Sequence, residues 1–347
     1  MLAQVDITVH DDAQYEVDEY FRQHEWSDGL PVRTPRVDLV DRFIERSGLD
    51  PALDLGTLPP KHGRATLAAI AVNAYMAGCQ PAHLPLLVGA VEAMLQPDFN
   101  LHPVQATTNP VAPLLLVNGP RRDALGISSG RNLLGPGPHF NGAVGRAVRL
   151  ILRNIGGATS DEDMATHGSP GKYTLCFAEA EEDSPWEPLH VAHGFDRSDD
   201  VVTTVPAEGV LNVHTTWGNT RAEHLLDVYT RAVRTPGSGL WWSSGTPLFL
   251  LCPGHAEILD REGIGRAELQ RFLFDAARIP LRTMPLGNIP IGNWTVVDDH
   301  VQLFGKPEDI LVAVGGGPEG HHTVYFLPFC FSSATWARVK DVEELRS

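Results

Sequence analysis

Residues 113–117 read Pro113-Leu114-Leu115-Leu116-Val117, an unbroken apolar run that ends at the turn residues Asn118-Gly119-Pro120. A strand with one wet face alternates apolar and polar residues. A strand covered on both faces has no reason to, so this run predicts a buried strand of a parallel or mixed sheet. Pro247–Leu251 (PLFLL) and Ile310–Val314 (ILVAV) repeat the pattern. The second of the three runs is followed by Pro253-Gly254-His255 and a helical pattern over 267–277, which is the signature of a strand–helix unit. The reading is an α/β fold, a mixed or parallel sheet with flanking and buried helices.

The helices come in two kinds. Val37–Ser47 carries Val37, Val40, Phe43 and Ile44 on one side, an amphipathic pattern. Arg64–Met76 (RATLAAIAVNAYM) is apolar nearly all round and rich in alanine, so it belongs in the core or at a homo-oligomer interface. Gly78 suits its C-cap, and a second apolar helix is expected over 84–95. The organisation read from this is a helical and extended lead over 1–60, a first α/β lobe over 61–198 and a second over 199–347. The acidic stretch Glu179–Ser184 and Arg197–Asp200 read as surface loops, and no internal repeat is visible in the residues.

The 347 residues carry a formal net charge of -16. No Lys/Arg run offers the basic face that nucleic acid or an anionic membrane requires, so both partners are excluded at this stage. The first twenty residues lack the basic and apolar regions of a secretory signal, and no apolar run reaches 18 residues. Four widely spaced cysteines (Cys79, Cys176, Cys252, Cys330) form no CxxC pair, which fits reduced thiols in the cytoplasm.

Leu134–Ala158 (LGPGPHFNGAVGRAVRLILRNIGGA) is the most informative stretch for chemistry. Gly135-Pro136-Gly137-Pro138 breaks regular structure, Asn141 reads as an N-cap, and Gly156-Gly157 ends the helix. A glycine-rich entry to a helix presents free N–H groups to phosphate or carboxylate. The motif is neither Walker A nor GxGxxG, so no cofactor is named by it. Arg146, Arg149 and Arg153 fall on one face of that helix, as a solvated or intersubunit stripe or with Arg146 facing an anion. Lys172, in the turn after His167, offers a second cation, and Gly315-Gly316-Gly317 follows a strand where α/β sheets build their crevice.

Gly135, Gly137, Asn141, Arg146, Lys172, Gly316 and Gly317 are therefore the candidate substrate contacts. His167 and His190 are the candidate acid–base groups. Cys79 is the candidate nucleophile, between one helix end that would raise its pKa and one that would lower it. A competing reading makes His190 and His193 metal ligands, with His214 or Glu187 completing the site, although HxxH alone argues weakly for metal.

WSDGLPV (26–32), NAYMAGCQP (73–81), the glycine-rich helix entry (134–158), HGSPGKYTLCFAE (167–179), SPWEPLHV (184–191) and EDILVAVGGGP (308–318) together resemble a bacterial family encoded beside the small UGSC-motif (seleno)proteins. The resemblance covers most of the chain. It implies thiol- or selenol-linked chemistry, as a reductase or lyase component with a UGSC-type redox protein as partner. It assigns no catalytic residue. The chain departs from the family at Gly137–Ala143, where an Asn-rich segment is expected. The expectation is an enzyme acting on a small anionic metabolite. The alternatives are a metal-dependent lyase or hydrolase, and a non-catalytic partner subunit.

Overall fold

The computed structural model describes residues 13–215, 221–234, 245–283, 295–318 and 321–340. The helices are α1 (Ala13–Gln23), α2 (Val37–Ser47), α3 (Leu67–Ala77), α4 (Leu84–Met94), α5 (Leu101–Ala106), α6 (His139–Asn154), α7 (Leu189–Ala192), α8 (Ala222–Val233), α9 (Pro253–Arg261) and α10 (Arg266–Ala276). The strands are β1 (Asp54–Leu58), β2 (Gly63–Thr66), β3 (Ala112–Asn118), β4 (Cys176–Ala178), β5 (Val201–His214) and β6 (Leu248–Leu251). They continue with β7 (Arg278–Pro280), β8 (Thr295–Val297), β9 (His300–Gln302), β10 (Leu311–Val314), β11 (His322–Pro328) and β12 (Thr335–Arg338).

The three apolar runs are β3, β6 and β10, and all three lie in one seven-stranded mixed sheet of order β10-β6-β11-β5-β3-β4, with β12 paired to the start of β5. Their residues alternate between two packed layers. Leu114 and Leu116 of β3 join Leu248, Leu250, Leu311, Ala313, Phe177 and Phe326 on one face. Leu115 and Val117 turn the other way, onto α2, α3, α4 and α6. Phe249, Leu251, Val312 and Val314 turn onto α8, α9 and α10. The sheet curls, so that Ala180 beyond β4 donates to the carbonyl of Val314 on β10 at 2.8 Å. The continuous apolar runs are thus explained: one face lines the inside of the curl, the other supports helices.

The topology contains a repeat that the residues do not display. β3 is parallel to β4 and antiparallel to β5. β6 is parallel to β10 and antiparallel to β11. Each is a β-α-β-β unit, with the second strand flanking the first on the outside and the third on the inside. β5 and β11 pair antiparallel and join the two units about an approximate two-fold axis. A cut at residue 198 would separate β5 from β3, its partner along seven residue pairs.

α3 is buried as its composition predicts, but it starts at Leu67 rather than Arg64, because Gly63–Thr66 pair with β1 as β2. The Thr66 hydroxyl caps it by accepting from Ala69 N, and Gly78 closes it in the left-handed region. Its apolar residues are used within the chain, against α2, α4 and α6. Among the described residues no helix is long and apolar enough to cross a membrane.

Candidate functional site

Strand alternation decides what lies at the mouth of the curl. Leu116 faces inward opposite Phe177 on β4 and Thr203 on β5, so the next inward positions along β3 and β4 are Asn118 and Glu179. Both side chains are fully buried. Asn118 Nδ2 donates to Glu179 Oε2 at 2.6 Å and to Glu181 Oε1 at 3.0 Å. Glu179 also accepts from Leu189 N at 2.7 Å and from Arg266 Nη2 at 3.1 Å. Glu181 accepts from Gly119 N at 2.7 Å and lies 3.4 Å from Arg122 Nη1. Arg122 also reaches Glu182.

His190, on the single turn of α7, is the side chain left over. Its exposure is 0%, and no side chain lies within hydrogen-bond distance of either ring nitrogen; the Arg197 carbonyl is the backbone acceptor beside it. Nδ1 stands 3.9 Å from Glu181 Oε1. Burial holds the ring pKa below its ordinary value, while Glu181, the Arg197 carbonyl and Asp199 act in the opposite direction. The ring is therefore neutral at pH 7, with a carboxylate beside it. Burial raises the Glu179 carboxyl, against Arg266, the Leu189 amide and Asn118. Among the described residues, eight buried side-chain atoms lack a partner, and five belong to Asn118, Arg122, Trp186 and His190. Buried polar atoms are nearly always satisfied, and most of the exceptions lie in or beside this one polar group.

The sequence candidates divide. Val314 accepts from Ala180 and Gly316 N donates to Ser129 O at 2.8 Å, which sets the Gly315–Gly317 loop beside the Glu179–Glu181 segment. A Cβ on Gly317 would come within 2.8 Å of the Arg131 side chain, so the close approach needs glycine there. Asn141 is not the cap of α6. The helix starts at His139 behind Pro138, and the buried Asn141 side chain instead clamps Ser128 N at 2.8 Å and Ser128 O at 2.9 Å. With Pro138 at the cap position, the first turn begins three residues earlier than the Asn signal suggested. Gly135 belongs to a turn closed by its N–H to Asn132 O at 2.8 Å, and Gly137 adopts φ 128°.

The remaining candidates lie outside this group. Arg146 makes a two-pronged bond to Asp28, at 2.8 and 2.7 Å, and a third to Leu30 O. Lys172 is held by Asp163 at 2.7 Å, which also takes Arg149 at 2.9 Å. These cations are committed to carboxylates of their own chain. His167 is exposed on its loop. The Cys79 thiol points into the core towards Ala143 O, and burial, only weakly opposed by Arg33, pushes its pKa up to about 12. Neither helix end decides its state, because desolvation outweighs both.

His193 stacks on Trp336 at 4.5 Å, while His214 sits against His322. Among the described residues no three His, Cys, Asp or Glu side chains gather as a metal site.

The acidic stretch read as a surface loop is exposed only at Glu182 and Asp183; Glu179 and Ala180 are buried. Glu179, Asn118 and Arg266 are the residues that sequence reasoning missed. The one available signal was that Glu179 continues an apolar strand (Cys176-Phe177-Ala178) with an inward-facing period. No family model, curated protein or solved structure matches this chain.

Proposed function

We propose that this chain is an enzyme that moves a proton on a small polar metabolite, with His190 as the acid–base group. The carrying observation is an imidazole that is fully buried, has no side-chain hydrogen bond and is faced at Nδ1 by the Glu181 carboxylate. A neutral imidazole accepts a proton from substrate at Nε2, and the carboxylate facing Nδ1 stabilises the resulting imidazolium. Asn118 and the Gly119 amide hold Glu181 in place for that task. A separation of 3.9 Å is compatible with a bond that tightens once substrate is bound.

The surroundings favour a substrate that brings a hydrogen-bond donor. Three carboxylates (Glu179, Glu181, Glu182) face two guanidinium groups (Arg122, Arg266), and Asn118 Oδ1 is an unused acceptor. A hydroxyl or amino compound suits this better than a multiply charged anion. Proton abstraction by a neutral imidazole points to lyase or isomerase chemistry. The test is incubation of a polar metabolite extract with wild-type protein, His190→Gln and Glu181→Gln, followed by mass spectrometry. Wild type should convert at least one compound, and His190→Gln should convert it about 10²–10⁴-fold more slowly. Equal turnover by wild type and His190→Gln would end this reading.

A further inference from the structure

The second β-α-β-β unit has a corresponding edge, at the carboxyl ends of the parallel strands β6 and β10, beside the start of β11. β11 begins at His322, directly opposite His214 at the end of β5. Directly opposed residues of an antiparallel pair share a face, with Cβ atoms about 4.5–5.5 Å apart. The two imidazoles lie with centroids 4.7 Å apart and planes 36° from parallel. Both are exposed.

We infer that His214 and His322 form a binding site for a divalent transition-metal cation of borderline softness, of the Ni²⁺, Cu²⁺ or Zn²⁺ type. Asn212, two residues before His214 on the same face, places its side-chain oxygen 3.1 Å from His322 Nδ1. An amide oxygen only accepts, so Nδ1 carries the proton and the lone pair is left on Nε2. A second hydrogen bond that fixes the ligating tautomer is what metal-binding imidazoles require. Two imidazoles on one ion, each at about 2.0–2.1 Å, bring their ligating nitrogens to about 3 Å from each other. Rings already at 4.7 Å reach that by small side-chain rotations. Neutral nitrogen donors select this class of ion over Mg²⁺ or Ca²⁺, which take oxygen.

Cys252 comes next across the sheet, opposite His322, but it is buried and its sulfur takes the backbone N–H groups of His255, His322 and Gly254. It is not counted as a ligand. Two protein ligands leave coordination positions for water or an exogenous group. The location also follows a general rule for α/β sheets, in which ligands bind at the carboxyl ends of strands. Nothing in this site depends on His190.

The experiment is calorimetric titration of metal-free, full-length protein with NiCl₂ and CuCl₂, with thermal melts to confirm that each variant is folded. Wild type should bind one equivalent. His214→Ala and His322→Ala should each abolish that phase, and Asn212→Ala, which keeps both ligands, should weaken it by about 10–100-fold. A His62→Ala/His102→Ala variant, whose rings lie 6.4 Å apart, should bind as wild type does. Absence of a one-equivalent phase in wild type, or wild-type affinity in His322→Ala or Asn212→Ala, overturns the site.

Discussion

Arg146, Arg149 and Arg153 share the face of α6 that their spacing dictates, and each is spent on protein. Arg146 takes Asp28, Arg149 takes Asp163, and Arg153 takes the Glu25 carbonyl at 3.0 Å. The spacing was readable; the partners, 118 and 128 residues away for the outer two, were not, because no local signal encodes a contact of that range. The Asp28 side chain is 5% exposed, so removing its partner leaves a desolvated charge. Arg146→Ala should therefore destabilise the protein by about 3 kcal/mol in urea unfolding, the lower end for a broken buried pair. A change below about 0.5 kcal/mol would mean the pair is solvated.

His255 gives a second test at this scale. Its Nδ1 lies 3.1 Å from Tyr229 OH and 3.0 Å from Thr323 Oγ1, and its Nε2 3.2 Å from Thr215 Oγ1. Burial first, then His321 and His322, lowers its pKa from 6.5 to about 4. At pH 7 the ring is neutral folded or unfolded and contributes nothing to the pH dependence. As pH falls through 6.5 the unfolded chain takes up a proton that the folded chain refuses until about pH 4. Stability is lost across that window, by roughly 3 kcal/mol in all. His255→Gln should flatten this part of the stability–pH curve, and an unchanged slope would reject the assignment.

At the scale of elements, glycine carries more than one role. In the 134–158 stretch Gly135 and Gly137 form the helix entry read as a cradle for an anion, and Gly145, inside the helix, serves packing. A Cβ there would stand 2.4 Å from Thr174 Oγ1 and 2.6 Å from Leu175 N, so α6 lies on the entry to β4 with no room for a methyl group. Gly145→Ala should destabilise by about 1–3 kcal/mol, the usual range for overpacking, measured by chemical denaturation. A neutral result would mean that α6 can withdraw from the sheet. The strands were legible for the opposite reason: a run such as Leu114–Val117 has a single physical explanation, burial on both faces. The mouth of the curl was not legible, since Asn118 and Glu179 face each other only after β3 and β4 have paired across α6.

At the scale of the whole molecule, the inner layer of the sheet is common to both β-α-β-β units. Phe177, on β4 of the first, stacks on Phe326, on β11 of the second, with centroids 5.9 Å apart inside the curl. Leu189, Leu250 and Ala313 close around them, so the inner layer belongs to neither half alone. Two lobes with separate cores would unfold in separate steps. A sheet whose central pair, β5 and β11, joins the halves along seven residue pairs, with an inner layer drawn from both, couples the halves. Unfolding in urea should therefore show coincident transitions by far-ultraviolet circular dichroism and by tryptophan fluorescence. Phe177→Ala should shift both together, by about 3–5 kcal/mol. Adding Phe326→Ala should cost less than the sum of the single changes, by about 0.5–1.5 kcal/mol of ring–ring coupling. Two resolved transitions, with only one moved by Phe177→Ala, would show instead that the halves fold independently and that the inner layer is not shared in energy.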